Sequence, residues 1–184
     1  WENETLLKYT PRYVVDTRSR HRTMVPEEEY KNGHVLTSET VTALAKEGVK
    51  VNLGAHGQLQ GLGAHWELWM LQQGGLSNHE ALKAATINGA DYIGAADEIG
   101  SLEKGKLADL IIMDKNPLED IKNSNSVIYT MVNGRLYDIL TMNEIGNYDK
   151  KRTKFYFEMD GYNQGVPVNM NTNSFLTPRC SCHE

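Results

Sequence analysis

Cysteine is almost missing from this chain, and the two it has, Cys180 and Cys182, fall within the last five residues. That excludes a disulfide framework in the core and leaves the redox compartment open. With His183 they offer three soft donors, one short of a closed zinc site, and a frayed terminus is the simpler reading. Positive charge is sparse as well: 19 Lys and Arg against 24 Asp and Glu give a net charge of −5, with no basic run. A nucleic-acid-binding surface is therefore not expected. No apolar run nears the roughly 18 residues that would span a bilayer. Nothing near Trp1 resembles a signal peptide, and because the chain opens on Trp rather than Met, its true N-terminus is expected upstream. Several catalytic signatures are absent too: no Gly-x-Ser-x-Gly elbow, no His-Glu-x-x-His helix and no Gly-Lys-Ser/Thr loop. The run Gly61-Leu62-Gly63-Ala64-His65-Trp66 lacks the third glycine of the dinucleotide fingerprint, which argues against nucleotide binding.

What remains is globular in composition. Hydrophobic residues make up 40% and charged residues 23% of the chain, so wholesale disorder is not expected, and the length suffices for one domain or two small ones. Residues 1–25 read as irregular and basic. Pro26 followed by three glutamates is a strong helix start, and Tyr30, His34, Thr37, Val41, Leu44 and Ala45 mark one face of a helix weakened at Gly33 and ending near Gly48. Val49 to Leu53 suits a buried parallel strand. A Gly-rich loop, 54–63, follows, then a helix from Leu62 to Gln73 stopped by Gly74-Gly75. Ser77-Asn78-His79-Glu80 has the form of a capping box and opens a helix continuing to Ala90. Helix, strand, loop and helix make one turn of an α/β wheel. After Asp97 the pattern changes to short strands, Leu107–Met113 and Val127–Val132, with Asn133-Gly134 as a hairpin turn into Arg135–Tyr137. From Thr141 the signals fade toward an extended or partly ordered tail. The expected division is thus 1–98, 99–140 and 141–184.

The candidate chemistry gathers on the loop. His56 sits at the carboxyl end of the expected strand, where α/β folds build their sites; its imidazole could ligate zinc, act as a general base or bond a substrate. A loop histidine that merely caps backbone groups is the plain alternative. His65 and Glu67 stand two apart at the start of the next helix and point in different directions, so that one can face the loop while the other packs elsewhere. For His65, orienting the loop or His56 competes with an ordinary partly buried histidine. His21, His34 and His79 lack partners at metal-ligand spacing and read as structural or solvent-facing. Trp66, Trp69, Met70 and Leu71 read as helix packing.

The runs His79-Glu80-Ala81-Leu82-Lys83-Ala84-Ala85-Thr86-Ile87-Asn88-Gly89-Ala90 and Ile99-Gly100-Ser101-Leu102-Glu103-Lys104-Gly105-Lys106-Leu107-Ala108-Asp109-Leu110 closely resemble the C-terminal part of the amidohydrolase superfamily. Asn116-Pro117-Leu118-Glu119-Asp120-Ile121 and Val132-Asn133-Gly134 extend the likeness. The loop Gly54-Ala55-His56-Gly57-Gln58 resembles the imidazolonepropionase- and prolidase-like branch, particularly members fused behind a β-propeller. The resemblance implies the last units of a (β/α)8 barrel, residues 1–98, with part of a small β-sandwich at 99–140. It also implies hydrolysis of carbon–nitrogen bonds in a cyclic or linear amide or a dipeptide, by water activated on one or two divalent metals, zinc foremost. His56 then becomes the metal ligand and proton carrier, with His65, Gln58 and Gln60 as supporting or substrate-contacting residues. Most relatives carry an aspartate in a Gly-Thr-Asp-like setting where this chain has Gly54-Ala55-His56. The early His-x-His pair and the middle-strand lysine and histidine ligands are not in this chain, so the remaining ligands are expected in an N-terminal part of the same enzyme. A complete barrel takes about 250 residues. The expected partners are that N-terminal part and a small amide or peptide, with no nucleic acid or membrane and with room for a homo-oligomer. The propeller-fused relatives point to a periplasmic or extracytoplasmic setting. A non-catalytic binding or assembly module on a decayed scaffold is the rival reading, and an upstream His-x-His pair would separate the two.

Overall fold

The acidic run Glu27–Glu29 opens the longest helix, and Gly48 closes it. Gly48 takes a positive φ of 90°, its N–H donates to the Ala45 carbonyl, and the Val49 N–H reaches back to Leu44. This paired return satisfies the last carbonyls of the helix and needs a left-handed residue, which glycine adopts without strain. The protein is described from a computed structural model that covers residues 4–11, 14–15, 27–55, 59 and 61–159. Its elements in chain order are α1 (Glu4–Tyr9), α2 (Glu27–Lys46), α3 (Leu62–Gln73), α4 (Asn78–Ala84), α5 (Ile87–Tyr92), β1 (Leu110–Met113), β2 (Val127–Val132), β3 (Arg135–Asp138) and β4 (Glu144–Ile145), with short 3-10 turns at Ile121–Asn125 and Tyr156–Glu158.

Helix α2 runs unbroken through Gly33. Its buried positions are Ser38 and Thr42, with Val41 and Ala45 packed behind them, whereas Leu44 is 48% exposed. The inward face is thus rotated from the one that hydrophobicity marks. The cause is close approach: a side chain at Gly74, just past α3, would overlap the backbone of Ser38, so small residues occupy the contact.

Helix α3 carries the core. Leu68 packs with Ala81 and Ile121, while Leu71 packs with Leu76 and Ala84, and Leu53 touches both groups. Burying each leucine contributes about 1.5–3 kcal/mol. Ser77 caps α4 by accepting the Glu80 N–H at 3.2 Å, and the Glu80 carboxylate turns to Lys83. The single helix expected from Ser77 to Ala90 is two. Thr86 leaves helical geometry at φ −136° and ψ −100°, and its hydroxyl donates to the Leu82 carbonyl at 2.7 Å. A β-branched residue whose hydroxyl can serve the previous turn makes an inexpensive break.

The segment 49–53 is not a ladder strand. Val51 and Leu53, two residues apart, both pack on α3 and α4, which keeps the period of a strand. No other strand lies beside it among the described residues. The Leu53 N–H donates instead to the Ala84 carbonyl at 3.0 Å, and the Val51 carbonyl accepts from Asn88 Nδ2 at 3.0 Å. A strand is a property of a pair, and here the Leu53 N–H and the Val51 carbonyl bond helix residues instead.

The later residues form one antiparallel sheet in the order β1-β2-β3-β4. Asn133 and Gly134, at φ 48° and 77°, make the tight turn between β2 and β3 that their sequence calls for. β1 begins at Leu110, three residues later than expected, and its pairing with β2 slips between Ile112 and Met113. The sheet continues past Thr141: Glu144 is 3% exposed and takes both Arg135 Nε, at 2.8 Å, and Nη2 on its carboxylate. Residues Met24–Arg152 form one compact unit, and 1–23 with 153–184 form another. In the second unit Leu6 and Val15 are buried, α1 occupies part of the stretch expected to be irregular, and Tyr9 meets Phe155 edge-on at 6.4 Å.

Candidate active site

The site grows from the end of the 49–53 segment. Its start is tied to α5 by Lys50 Nζ on Asp91 at 2.6 Å. At its far end the Gly54 N–H donates to both carboxylate oxygens of Glu67, at 3.1 and 3.0 Å. Asn52, on the opposite side of the alternation from Val51 and Leu53, buries an Oδ1 that has no hydrogen-bond partner among the described residues. The chain returns at Gly63, whose N–H donates to the Leu59 carbonyl at 2.8 Å. A Cβ placed on Gly63 would lie 3.7 Å from Ala55. Both ends of the loop therefore meet on the N-terminal half of α3.

His56, Gln58 and Gln60, the loop residues singled out for metal, proton and substrate contacts, lie outside the described residues, as do His21, Cys180, Cys182 and His183. His65 is described, on the first turn of α3. Its Nδ1 is 3.1 Å from Ser124 Oγ, and Trp69 Nε1 donates to the same oxygen at 3.0 Å. The indole can only donate, so Ser124 accepts from it; toward His65 Nδ1 the hydroxyl either donates or accepts through its second lone pair, according to the ring's tautomer. Burial pulls the imidazole below its ordinary 6.5, which keeps it uncharged at neutral pH. His65 and Glu67 diverge as a spacing of two requires: Glu67 serves the base of the loop, and His65 packs on the 3-10 turn.

His34 bonds Gln73 Oε1 at 2.8 Å, joining α2 to α3. His79 is exposed beside Glu80. Among the described residues no group of three or more His, Cys, Asp or Glu could hold a metal ion, so these residues alone do not fit the metal centre of the amidohydrolase resemblance. Nor is any described helix long and apolar enough to cross a membrane.

From the sequence either His65 or Glu67 could face the loop, and the structure selects Glu67; Ser124 had no assigned role. His65 and Trp69, four apart on one helix, announce a shared face, which is a signal for the pair. Their common partner, Ser124, is 55 residues beyond Trp69 and carries no local sign.

Residues 36–137 match the model of the Amidohydrolase family. The chain is 34% identical over 116 residues to a 5-methylthioadenosine/S-adenosylhomocysteine deaminase of Teredinibacter turnerae, covering 55% of this chain and 26% of the relative. It is 62% identical over 39 residues to an imidazolonepropionase of Symbiobacterium thermophilum, covering 21% of this chain and 9% of that one. Among solved structures, a Xaa-Pro dipeptidase with methionine bound in its active site matches at 30% identity and a TM-score of 0.52, over 68% of this chain and 32% of the other. The chain thus spans about a quarter of the curated deaminase it matches. With the family model matched over more than half of its residues, the chain belongs to the amidohydrolase family.

Proposed function

We propose that this chain forms the C-terminal portion of a metal-dependent hydrolase that cleaves carbon–nitrogen bonds: the last strand of a barrel, its flanking helices and part of a β-sandwich. The observation that carries the reading is the loop stem. Segment 49–53 ends in a loop whose two ends are both anchored on α3, at the place where such barrels hold their chemistry. The family match covers that stem together with β1, β2 and most of β3. The relatives named above include a deaminase, an imidazolonepropionase and a dipeptidase, so the proposed substrate is a small molecule bearing an amide, a cyclic amide or an amidine-like carbon–nitrogen bond.

Within this reading His56 is the residue of this chain that handles metal or proton, and Gln58 and Gln60 contact substrate. His65, neutral and bonded to Ser124, supports the helix that carries the stem. A divalent metal, when bound, would lower the pKa of a water and polarise the bond to be cleaved. Its other ligands belong to residues outside this chain.

The test is metal analysis and a hydrolysis panel on the full-length protein, using linear amides, cyclic amides, Xaa-Pro dipeptides and aminopurine nucleosides. The reading expects bound divalent metal and turnover of at least one class, lost on chelation and restored by Zn2+. Metal-free protein that stays inactive across the panel after Zn2+ addition would favour a binding module instead. The 184-residue chain alone should bind metal weakly and turn over nothing; robust turnover by it would refute the assignment as a portion of the enzyme.

A further inference from the structure

Helix α3 has no side-chain cap at its N-terminus and no acid in its first turn. The nearest carboxylate, Glu67, would ordinarily favour that end of the helix dipole. It turns instead to the Gly54 N–H and accepts it with both oxygens. This use of the charge serves the loop rather than the helix.

The magnitudes agree. Burial of Leu68 and Leu71 together outweighs a single hydrogen bond to a charged group about twofold. The position of α3 is therefore set by its leucines, and losing Glu67 would leave the helix in place. What the carboxylate governs is the direction in which the chain leaves Leu53. The Leu53 N–H is already held by Ala84, so among the described residues Gly54 is the last backbone anchor before the loop. Ala55 and Leu59 then converge on Gly63, which ties the stem to the same helix.

We propose that Glu67 is a positioning residue for the loop that opens at Gly54, acting through the Gly54 N–H to fix the backbone from which His56 extends. The inference rests on the reading of His56 given above. A misplacement of about 1 Å at a reacting group can cost about a hundredfold in rate.

Amide hydrogen exchange on the full-length protein tests the structural half. Glu67→Ala should speed exchange at Gly54 by about tenfold, the equivalent of about 1.4 kcal/mol, with Leu53 exchange and the circular-dichroism melt unchanged. Glu67→Gln keeps a carbonyl acceptor and should remain within about threefold of the parent. Unchanged Gly54 exchange in the alanine variant, or equal loss in both variants, overturns the proposal. The functional half uses the full-length protein with Zn2+ and the panel substrate it turns over fastest, with His56→Ala run alongside. Glu67→Ala should lower kcat by about tenfold or more, leave KM and metal content unchanged, and be largely rescued by Glu67→Gln. If His56→Ala abolishes turnover while Glu67→Ala leaves kcat intact, the positioning role fails alone. If His56→Ala leaves the rate intact, the reading of His56 fails, and the exchange result still decides whether Glu67 sets the stem.

Discussion

Ser124 is a buried hydroxyl between two rings, and its removal separates packing from polar order. In Ser124→Ala the Trp69 indole N–H and His65 Nδ1 both lose their partner. A part-buried polar group left unsatisfied costs about 1–3 kcal/mol, so the urea midpoint should fall by a corresponding amount. Because burial lowers the His65 pKa in the fold from 6.5, the unfolded chain binds its proton first. This contribution to stability is complete above about pH 6.5 and is lost as pH falls below it. Glu144 titrates in a lower window. Its hydrogen bonds with Arg135 hold the carboxyl below its ordinary 4.5, so the stability it confers is present above that value and lost as pH falls through the lowered one. Glu144→Gln should reduce the melting temperature by several degrees at pH 7 and flatten the acid limb of the stability curve below pH 4.5. An unchanged acid limb would show the ion pair to be idle. Neither pair was legible in the sequence, since Arg135 and Glu144 meet across a β-hairpin register, and Ser124 reaches α3 only through the fold.

At the scale of elements, α2 and α3 meet where a glycine is required. Gly74→Ala would drive a methyl into the backbone of Ser38, and overpacking of this kind costs about 1–3 kcal/mol. Gly63→Ala is the contrasting case. Its methyl would rest in ordinary contact with Ala55 at 3.7 Å, and removing glycine from a helix stabilises by up to about 1 kcal/mol. Denaturant melts of the two variants should move in opposite directions, and equal destabilisation would contradict the described packing. Helix starts, stops and the Asn133-Gly134 turn were readable because each rests on local backbone chemistry. The Thr86 break was not, because a threonine in a helical run shows its choice only once its hydroxyl finds Leu82. Strand 49–53 illustrates the opposite limit. Its composition and period are those of a strand, but strand pairing depends on a neighbour that local sequence does not describe.

For the whole molecule, the order of helix, segment, loop, helix and sheet was legible, and so was the family, because long motif runs specify both. The centre was not legible to the same degree. His56 was visible as a loop residue, whereas the bond from the Gly54 N–H to Glu67 appears only when α3 folds back over that segment. The most direct measurement of the central claim is kcat/KM of the Zn2+-loaded full-length protein before and after His56→Ala, on the panel substrate turned over fastest. The account predicts a fall of at least about a hundredfold, with the circular-dichroism melt preserved. A variant that retains near-parent activity would contradict it and return His56 to the status of an ordinary loop residue.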